Sequence, residues 1–202
     1  MGQYFNQVTK NKEGTRVWHC QIKTPENIDK DSNEYYKDYY VGIKLMEHSW
    51  IHNKFMDSMS MYIYKNPTKV AWVGDYANDF KWEHPEWKVA PRVLHRIAWG
   101  YNRQEEMPYS KFDYEGKFLV NHSCKIALRF DDYSKTSTDK DGWCIHPLSL
   151  LTACGNGLGG GDFYNEYIGA SDVGLWCYDE ISIEDELPEG YSLEEYCFKE
   201  ER

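Results

Sequence analysis

The chain has 202 residues and carries 33 Asp and Glu against 23 Lys and Arg, a formal net charge of −10 at pH 7. This length is enough for a domain with a sizeable hydrophobic core. The acidic balance argues against a nucleic-acid polymer as partner, because affinity for phosphate backbones comes mainly from Lys and Arg, but it is compatible with a small phosphorylated ligand. The sequence shows no apolar run of membrane-spanning length and no apolar signal segment near its start, and its six cysteines form no C-x-x-C pair. We therefore expect a cytoplasmic protein with reduced thiols.

Residues 1–80 predict a hairpin, a helix and a strand. Two β-like pieces, 4–9 and 16–23, flank the polar turn 10–14 and predict a hairpin. Ile43, Met46 and Trp50 fall near helical spacing and predict a helix over 43–58. Short strands are expected at 62–64 and at 70–76, the second running into a Gly-Asp turn.

The rest of the chain predicts a second helix, a second hairpin and a late strand. Pro91 suits a first helical turn, and the apolar residues after it predict a helix over 91–101. Residues 118–121 and 126–131 predict a hairpin around 122–125. We expect a polar linker at 134–142, a buried apolar element at 145–154, a strand-like segment over 173–184 and an acidic, solvated tail after Pro188.

These elements predict one compact α+β domain over 1–202, with a mixed or antiparallel sheet and two main helices. Each half begins with a hairpin, continues to an apolar helix-like segment and reaches a Trp-x-x-Asp sequence, at Trp72 and Asp75 and again at Trp176 and Asp179. This pattern suggests an internally duplicated hairpin-helix-strand unit, with halves 2–80 and 116–185. Chance recurrence of a few aromatic and acidic residues is the alternative.

The most unusual stretch of the sequence is the glycine run at 155–161, in which five of seven residues are glycine. Such a cluster indicates backbone with positive φ or close approach to another group. A glycine-rich turn after a buried element can offer several free N–H groups to a phosphate, although a tight connecting loop is an equally good reading. The spacing is neither the dinucleotide G-x-G-x-x-G in its full context nor a P-loop. The candidate ligand-binding residues here are Asn156, Gly157, Gly159, Gly160, Gly161 and Asp162.

Five other residues join the candidate ligand site. His146 precedes the glycine run and is the histidine we expect to reach a bound ligand, unless it is structural. Trp72 and Trp176 are candidates to stack on a base, and Asp75 and Asp179, like Asp162, to contact hydroxyl groups. Helix capping is the more common role for an aspartate placed like Asp162.

No metal or catalytic set is expected. His48 and His52 stand four residues apart, a spacing that can share a metal on a helix, with Glu47 or Asp57 as an oxygen ligand. Spacing implies no third ligand, so we expect surface or hydrogen-bonded histidines and no cofactor. Cys154 adjoins the glycine run, but nothing in the sequence lowers its pKa and we do not expect a nucleophile.

Four segments of the chain together resemble a known but uncharacterised family of bacterial, fungal and phage proteins. They are MGQYF at the start, GIKLMEH, VGDYA and the block HPLSLLTACGNGLGGGDF. Sequences of that family typically open with MGQYY and carry a PLPLLTA-x-GNGRGGGDY block. The resemblance implies a shared fold and no particular activity. Where the family has arginine inside the glycine block, this chain has Leu158, so any anion would have to be held by backbone N–H groups and another cation.

These features favour a binding protein for a small nucleotide-derived, phosphate-containing ligand. The phage members of the resembled family and the lack of a catalytic set suggest sequestration of an immune signalling nucleotide, a phage counter-defence role. One alternative is a nucleotide phosphodiesterase or glycosidic hydrolase in which His146 and an aspartate perform acid–base chemistry. Another is an acidic protein-interaction module in which the glycine run is only architecture.

Overall fold

The computed structural model describes residues 5–12, 14–19, 44–45, 49–74, 105–106, 110–154, 163 and 167–200. The described helices are α1 (Lys54–Ile63), α2 (Phe130–Ser137) and α3 (Pro147–Leu151), with a 3-10 turn at Ala170–Asp172. The described strands are β1 (Phe5–Asn11), β2 (Gly14–His19), β3 (Thr68–Gly74), β4 (Glu105–Glu106), β5 (Phe118–Asn121), β6 (Ile126–Arg129), β7 (Ala153–Cys154), β8 (Tyr167–Ile168), β9 (Glu180–Glu184), β10 (Ser192–Leu193) and β11 (Lys199–Glu200). The fold is α+β with a mixed sheet, as the sequence predicts.

Nine of the described strands form one sheet. Its order is β10-β6-β5-β9-β3-β1-β2-β4, and β7 pairs with β3 beside this path. Neighbours are antiparallel except for three parallel pairs, β10 with β6, β2 with β4, and β3 with β7. Both predicted hairpins are confirmed, as β1–β2 and β5–β6.

The two halves of the sheet are built alike: from each edge inward there is a short parallel strand, then the two strands of a hairpin, then a central strand. The first hairpin is followed by α1 and then β3, which pairs antiparallel with β1. The second is followed by α2, α3 and the short strands β7 and β8 before β9, which pairs antiparallel with β5. β3 and β9 pair antiparallel at the centre. This topology agrees with a duplicated unit, but the two Trp-x-x-Asp sequences are not equivalent in it: Trp72 lies within β3, whereas Trp176 lies in turns before β9.

The core lies between one sheet face and the helices. Val70 and Trp72 of β3 and Ile181 and Ile183 of β9 are fully buried on this face, as alternation along a strand requires. α1 packs its apolar side against them, and the ring of Phe55 meets that of Trp72 edge-on at 5.9 Å between centroids. Burial of such large side chains is the main stabilising term of the fold.

The helix predicted over 43–58 is correct only in part. Residues 49–53 are not helical, and Trp50 forms a β-bridge with Ile145 instead. α1 begins at Lys54 because the side chain of Asn53 accepts the N–H of Phe55 at 2.9 Å and caps the helix. The helix predicted over 91–101 lies outside the described residues.

Three further predictions of local structure differ from the structure in part. Of the strand predicted at 62–64, residues 62–63 form the last turn of α1, where Ile63 is fully buried on the helix face begun by Phe55, and only Tyr64 makes an isolated β-bridge, with Ile183. The linker predicted from residue 134 is partly α2, whose buried side is only Phe130, Tyr133 and Ser137, too narrow a stripe to stand out in the sequence. Residues 173–178 are turns, and the strand begins at Glu180.

The tail after Pro188 is partly ordered as strand. β10 pairs with β6, and β11 pairs with β8. The aromatic ring of Phe198 lies in the core and is 1% exposed, which anchors the tail against the domain. A tail predicted as solvated therefore contributes to the core.

Candidate functional site

The candidate site lies where β3 and β7 end. The two strands run parallel, with Trp72 beside Ala153 and Val73 beside Cys154. β3 ends at Gly74 and β7 at Cys154, so both leave the sheet at the same edge. In the sequence the next residues are Asp75 and the first glycine of the run. Two candidates that are 80 residues apart in sequence therefore begin at adjacent strand ends.

The glycine run and Asp75 themselves lie outside the described residues. This holds for Asn156, Gly157, Gly159, Gly160, Gly161 and Asp162. Their role in ligand binding stays a prediction. The strand ends that precede them are described. Val73 and Cys154, near the ends of β3 and β7, are both fully buried.

The neighbour of β3 changes along its length. Its first residues pair with β9 and its last with β7. Between them the turn segment takes over, because Tyr178 donates its N–H to the carbonyl of Val70 at 2.9 Å and Val70 donates to the carbonyl of Asp179 at 3.2 Å. In open sheets, ligands bind outside the carboxyl ends of strands where the strand order changes. That rule comes from parallel α/β sheets; of the described neighbours of β3 only the two-residue β7 is parallel to it.

Trp72 and Trp176 are both core residues. The ring of Trp72 is 0% exposed, and that of Trp176 is 1% exposed. The indole N–H of Trp176 donates to the hydroxyl of Tyr196 at 3.2 Å, as a buried indole usually requires. Their stacking on a base stays a prediction, and these positions suit a floor behind the strand ends better than an open platform.

Asp179 is buried and hydrogen-bonded. Its Oδ2 accepts from the side-chain amide of Asn121 at 2.7 Å and from the thiol of Cys124 at 3.7 Å. Partial burial and the nearby carboxylate raise the pKa of Cys124. Asn121 in turn accepts the N–H groups of Ser123 and Cys124, which closes the turn of the second hairpin. The carboxylate is thus held by the hairpin beside the central strands.

Cys154 ends β7 in a buried thiol cluster. The hydroxyl of Tyr178 donates to its Sγ at 3.5 Å. Hydrogen bonds from Cys177 and Tyr178 hold the pKa of Cys154 below its usual value, whereas burial raises the pKa of Cys177. Sequence reasoning missed this cluster, because these partners lie more than twenty residues further along the chain. Cys154 is 0% exposed, so the thiol is not open to a substrate.

His146 is fully buried and caps α3. Its Nδ1 accepts the N–H of Leu148 at 3.1 Å, and its Nε2 lies 3.2 Å from the hydroxyl of Ser60. Because Nδ1 accepts, a neutral imidazole carries its proton on Nε2 and donates it to Ser60. Both ring nitrogens therefore have partners within the protein.

Ser60 continues a buried hydrogen-bonded chain to a carboxylate. Its hydroxyl lies 3.0 Å from that of Tyr114, which donates to Oδ1 of Asp57 at 3.0 Å. Asp57 is only 2% exposed, and Nδ1 of the exposed His52 lies 3.9 Å from its Oδ1. Burial raises the pKa of Tyr114 far above its usual value. Sequence reasoning missed this network; the one available signal was that Asp57 and Ser60 are three residues apart and share a helix face.

This arrangement does not favour acid–base catalysis by His146. Burial, with a smaller contribution from His52, lowers the pKa of His146 to about 3, so the ring is neutral near pH 7. A general base needs a free lone pair toward the proton that it takes. Here that lone pair accepts the Leu148 N–H and not the Ser60 hydroxyl. The hydrolase hypothesis stays a prediction without support from this geometry.

Neither a metal-binding cluster nor a membrane-spanning helix is found among the described residues. Within the described ranges, no group of three or more His, Cys, Asp or Glu side chains could hold a metal ion. His48 and Glu47, which the sequence offers as partners for His52, lie outside those ranges. No helix among the described residues is long and apolar enough to cross a membrane.

Comparisons of the chain with protein-family models, with curated proteins and with solved structures found no match.

Proposed function

We propose that the protein binds a small nucleotide-derived ligand at the edge where β3 and β7 end, and that it does not turn the ligand over. The observation that carries this proposal is the parallel register of Val73 with Cys154. It gives the glycine run and Asp75 a common starting edge, although nothing in their sequence separation requires one. A phosphate-binding turn and a hydroxyl-binding carboxylate at one edge are the parts that a nucleotide needs.

The phosphate would be held by backbone N–H groups of the glycine run. Such groups bind anions when several converge in a concave turn, and glycine permits both the torsions and the close approach. Leu158 replaces the arginine of the resembled family, so the ligand here gains less from side-chain charge. A protein of net charge −10 would then bind a compact phosphate through local dipoles and not through its overall field.

The described side chains around His146 give no support to the hydrolase alternative, in which this histidine performs acid–base chemistry. The imidazole is buried and neutral, and the nearby hydroxyls of Ser60 and Tyr114 are bonded to each other. No activated nucleophile results from this arrangement. A protein that holds a nucleotide without consuming it is suited to sequestration, and the resemblance to phage proteins makes an immune signalling nucleotide the proposed cargo.

A thermal-shift screen tests the proposal. The parent protein is melted with nucleoside phosphates, cyclic dinucleotides, ADP-ribose derivatives and inorganic phosphate. A ligand that binds only the folded state should stabilise it by about 2.7 kcal/mol at 100-fold its dissociation constant. Chromatography of the recovered ligand then separates binding from hydrolysis. A ligand recovered intact supports the proposal; a screen without any shift, or a ligand recovered cleaved, contradicts it.

The same screen includes Leu158→Arg. A guanidinium at the family's position adds charge-assisted hydrogen bonds to a phosphate and should tighten binding roughly tenfold. Unchanged affinity in a folded Leu158→Arg protein would place the phosphate elsewhere.

A further inference from the structure

The edge strand β10 has backbone groups without partners. It runs parallel to β6, and the N–H groups of Ser192 and Glu194 donate to the carbonyls of Lys125 and Ala127 at 3.1 and 2.8 Å. Alternate residues of a strand point their backbone groups to opposite sides. The N–H and C=O of Leu193 therefore point away from the sheet, and no described residue pairs with them.

A groove lies on the inner side of this segment, toward β6 and α2. It has a volume of about 280 Å³ and separates residues 193–197 from β6 and α2. Leu128 and Tyr133 form an apolar part of its lining, and the side chain of Leu193 is 48% exposed at its border. The groove can thus take an extended aliphatic chain, but its size does not fit a folded element.

The border of the groove is acidic. Glu194 and Glu195 both line it, are exposed, and form no ion pair with any described residue. The other charged residues of the lining already have partners, since Asp132 pairs with Lys135 at 2.9 Å and Arg129 with the neighbouring Asp131 at 3.3 Å. Two carboxylates without an ion-pair partner among the described residues therefore stand beside a strand edge with which no described strand pairs.

We propose that β10 docks an extended, lysine-bearing segment of a partner protein by strand addition. Main-chain hydrogen bonds to Leu193 would give the pairing, as in other cases of β-augmentation. A lysine side chain of the added strand would bring its ammonium to the exposed carboxylate of Glu194 or Glu195. A second copy of this chain is disfavoured, because two such edges would place like charges opposite each other. This surface is separate from the proposed nucleotide site and does not depend on it.

The experiment uses two labelled peptides, acetyl-KVKVKV-amide and acetyl-EVEVEV-amide, with fluorescence polarisation at low and high salt. We expect the lysine peptide to bind the full chain, the glutamate peptide not to bind, and affinity to fall with salt. Glu194→Lys with Glu195→Lys should weaken binding at least about tenfold. The matched control, Glu186→Lys with Glu189→Lys, makes the same change in net charge at exposed positions of the preceding loop and should change affinity less than about twofold.

Leu193→Pro tests the strand pairing itself. Proline there removes the outward N–H while the ladder donors on Ser192 and Glu194 remain, so melting temperature verifies the fold. Leu193→Pro should weaken binding of the lysine peptide at least about tenfold, whereas Leu193→Ala, which keeps the N–H, should weaken it less.

The proposal is overturned if the lysine peptide does not bind, if both charge-reversed proteins bind it alike, or if folded Leu193→Pro binds like the parent. It is also overturned if sedimentation shows a dimer that Leu193→Pro disperses, because the edge would then serve a second copy. Absence of peptide binding would mean that the acidic residues only protect the edge from aggregation.

Discussion

Acidification should destabilise the protein through His146. The imidazole is fully buried and neutral, and its pKa is lowered to about 3, mainly by burial. The unfolded chain has an ordinary imidazole with a pKa near 6.5. Between these values the unfolded state binds a proton that the folded state does not, so the free energy of unfolding falls as pH falls.

The size of the effect follows from the width of that window. One pKa unit corresponds to about 1.4 kcal/mol, so lowering the pH from 6.5 to 4.5 should cost roughly 2 to 3 kcal/mol from this residue. The contribution of Asp185 lies in still more acidic solution, because hydrogen bonds from Lys65, Lys117 and Tyr64 lower the pKa of its carboxyl.

The assay is urea unfolding at pH 6.5, 5.5 and 4.5 for the parent and for His146→Asn. Asparagine can still cap α3 by accepting the Leu148 N–H, but it does not titrate. We expect the variant to be less stable at pH 6.5, because the hydrogen bond to Ser60 is lost. Its free energy of unfolding should also fall less steeply with falling pH than that of the parent, by the slope that corresponds to about one bound proton. Equal slopes of stability against pH in the two proteins would refute the assignment of a buried neutral imidazole.

Two further pairs of variants test the packing. Tyr114→Phe removes the hydroxyl that donates to the buried carboxylate of Asp57 and should lower the free energy of unfolding, measured with urea, by about 1 to 3 kcal/mol. Tyr64→Phe removes a donor to the exposed carboxylate of Asp185 and should cost less than about 1 kcal/mol. Similar costs for the two variants would contradict the buried network. Gly169→Ala places a Cβ 2.1 Å from a backbone carbonyl oxygen at φ +84° and should cost roughly 3 kcal/mol or more, against about 1 kcal/mol for Gly142→Ala, which has φ +86° and open space. Equal losses would show that the C-terminal segment does not pass over Gly169.

Much of the sheet could be predicted from the sequence because its signals are local. The first hairpin follows from apolar residues alternating on either side of a polar turn, and β3 from a run of Val, Ala and Trp. The parallel pairing of β3 with β7 could not be predicted, because β7 has two residues and no pattern of its own. The proposed ligand site depends on that non-local contact.

The helices were less predictable for a different reason. Apolar spacing at Ile43, Met46 and Trp50 suggests a continuous helix, but the Asn53 cap and the bridge of Trp50 to Ile145 interrupt it. In α1 the buried face includes Asp57 and Ser60, whose partners come from Tyr114 and His146. A buried polar network is invisible in sequence, since the same residues would be equally suitable on a solvated face.

The ligand-binding residues predicted around the glycine run are the part of the sequence analysis that the described structure supports least. Its composition alone makes it a candidate phosphate site, and the described residues end just before it, at Cys154 of β7. His146 was expected to reach a ligand because it lies nearby in sequence. In the fold it points into the core toward Ser60, at the far end of α3 from β7.

The measurement that tests the central claim most directly is calorimetric titration of Gly160→Val with the nucleotide that the screen selects, alongside the melting temperature. A nest of backbone N–H groups needs glycine, so valine should abolish binding even where the protein stays folded. Gly190→Val is the matched control, because it makes the same change at a turn glycine with φ +79° and open space, and it should bind like the parent at somewhat reduced stability. If folded Gly160→Val binds the nucleotide as tightly as the parent and Gly190→Val, the glycine run does not hold the phosphate and the account is contradicted.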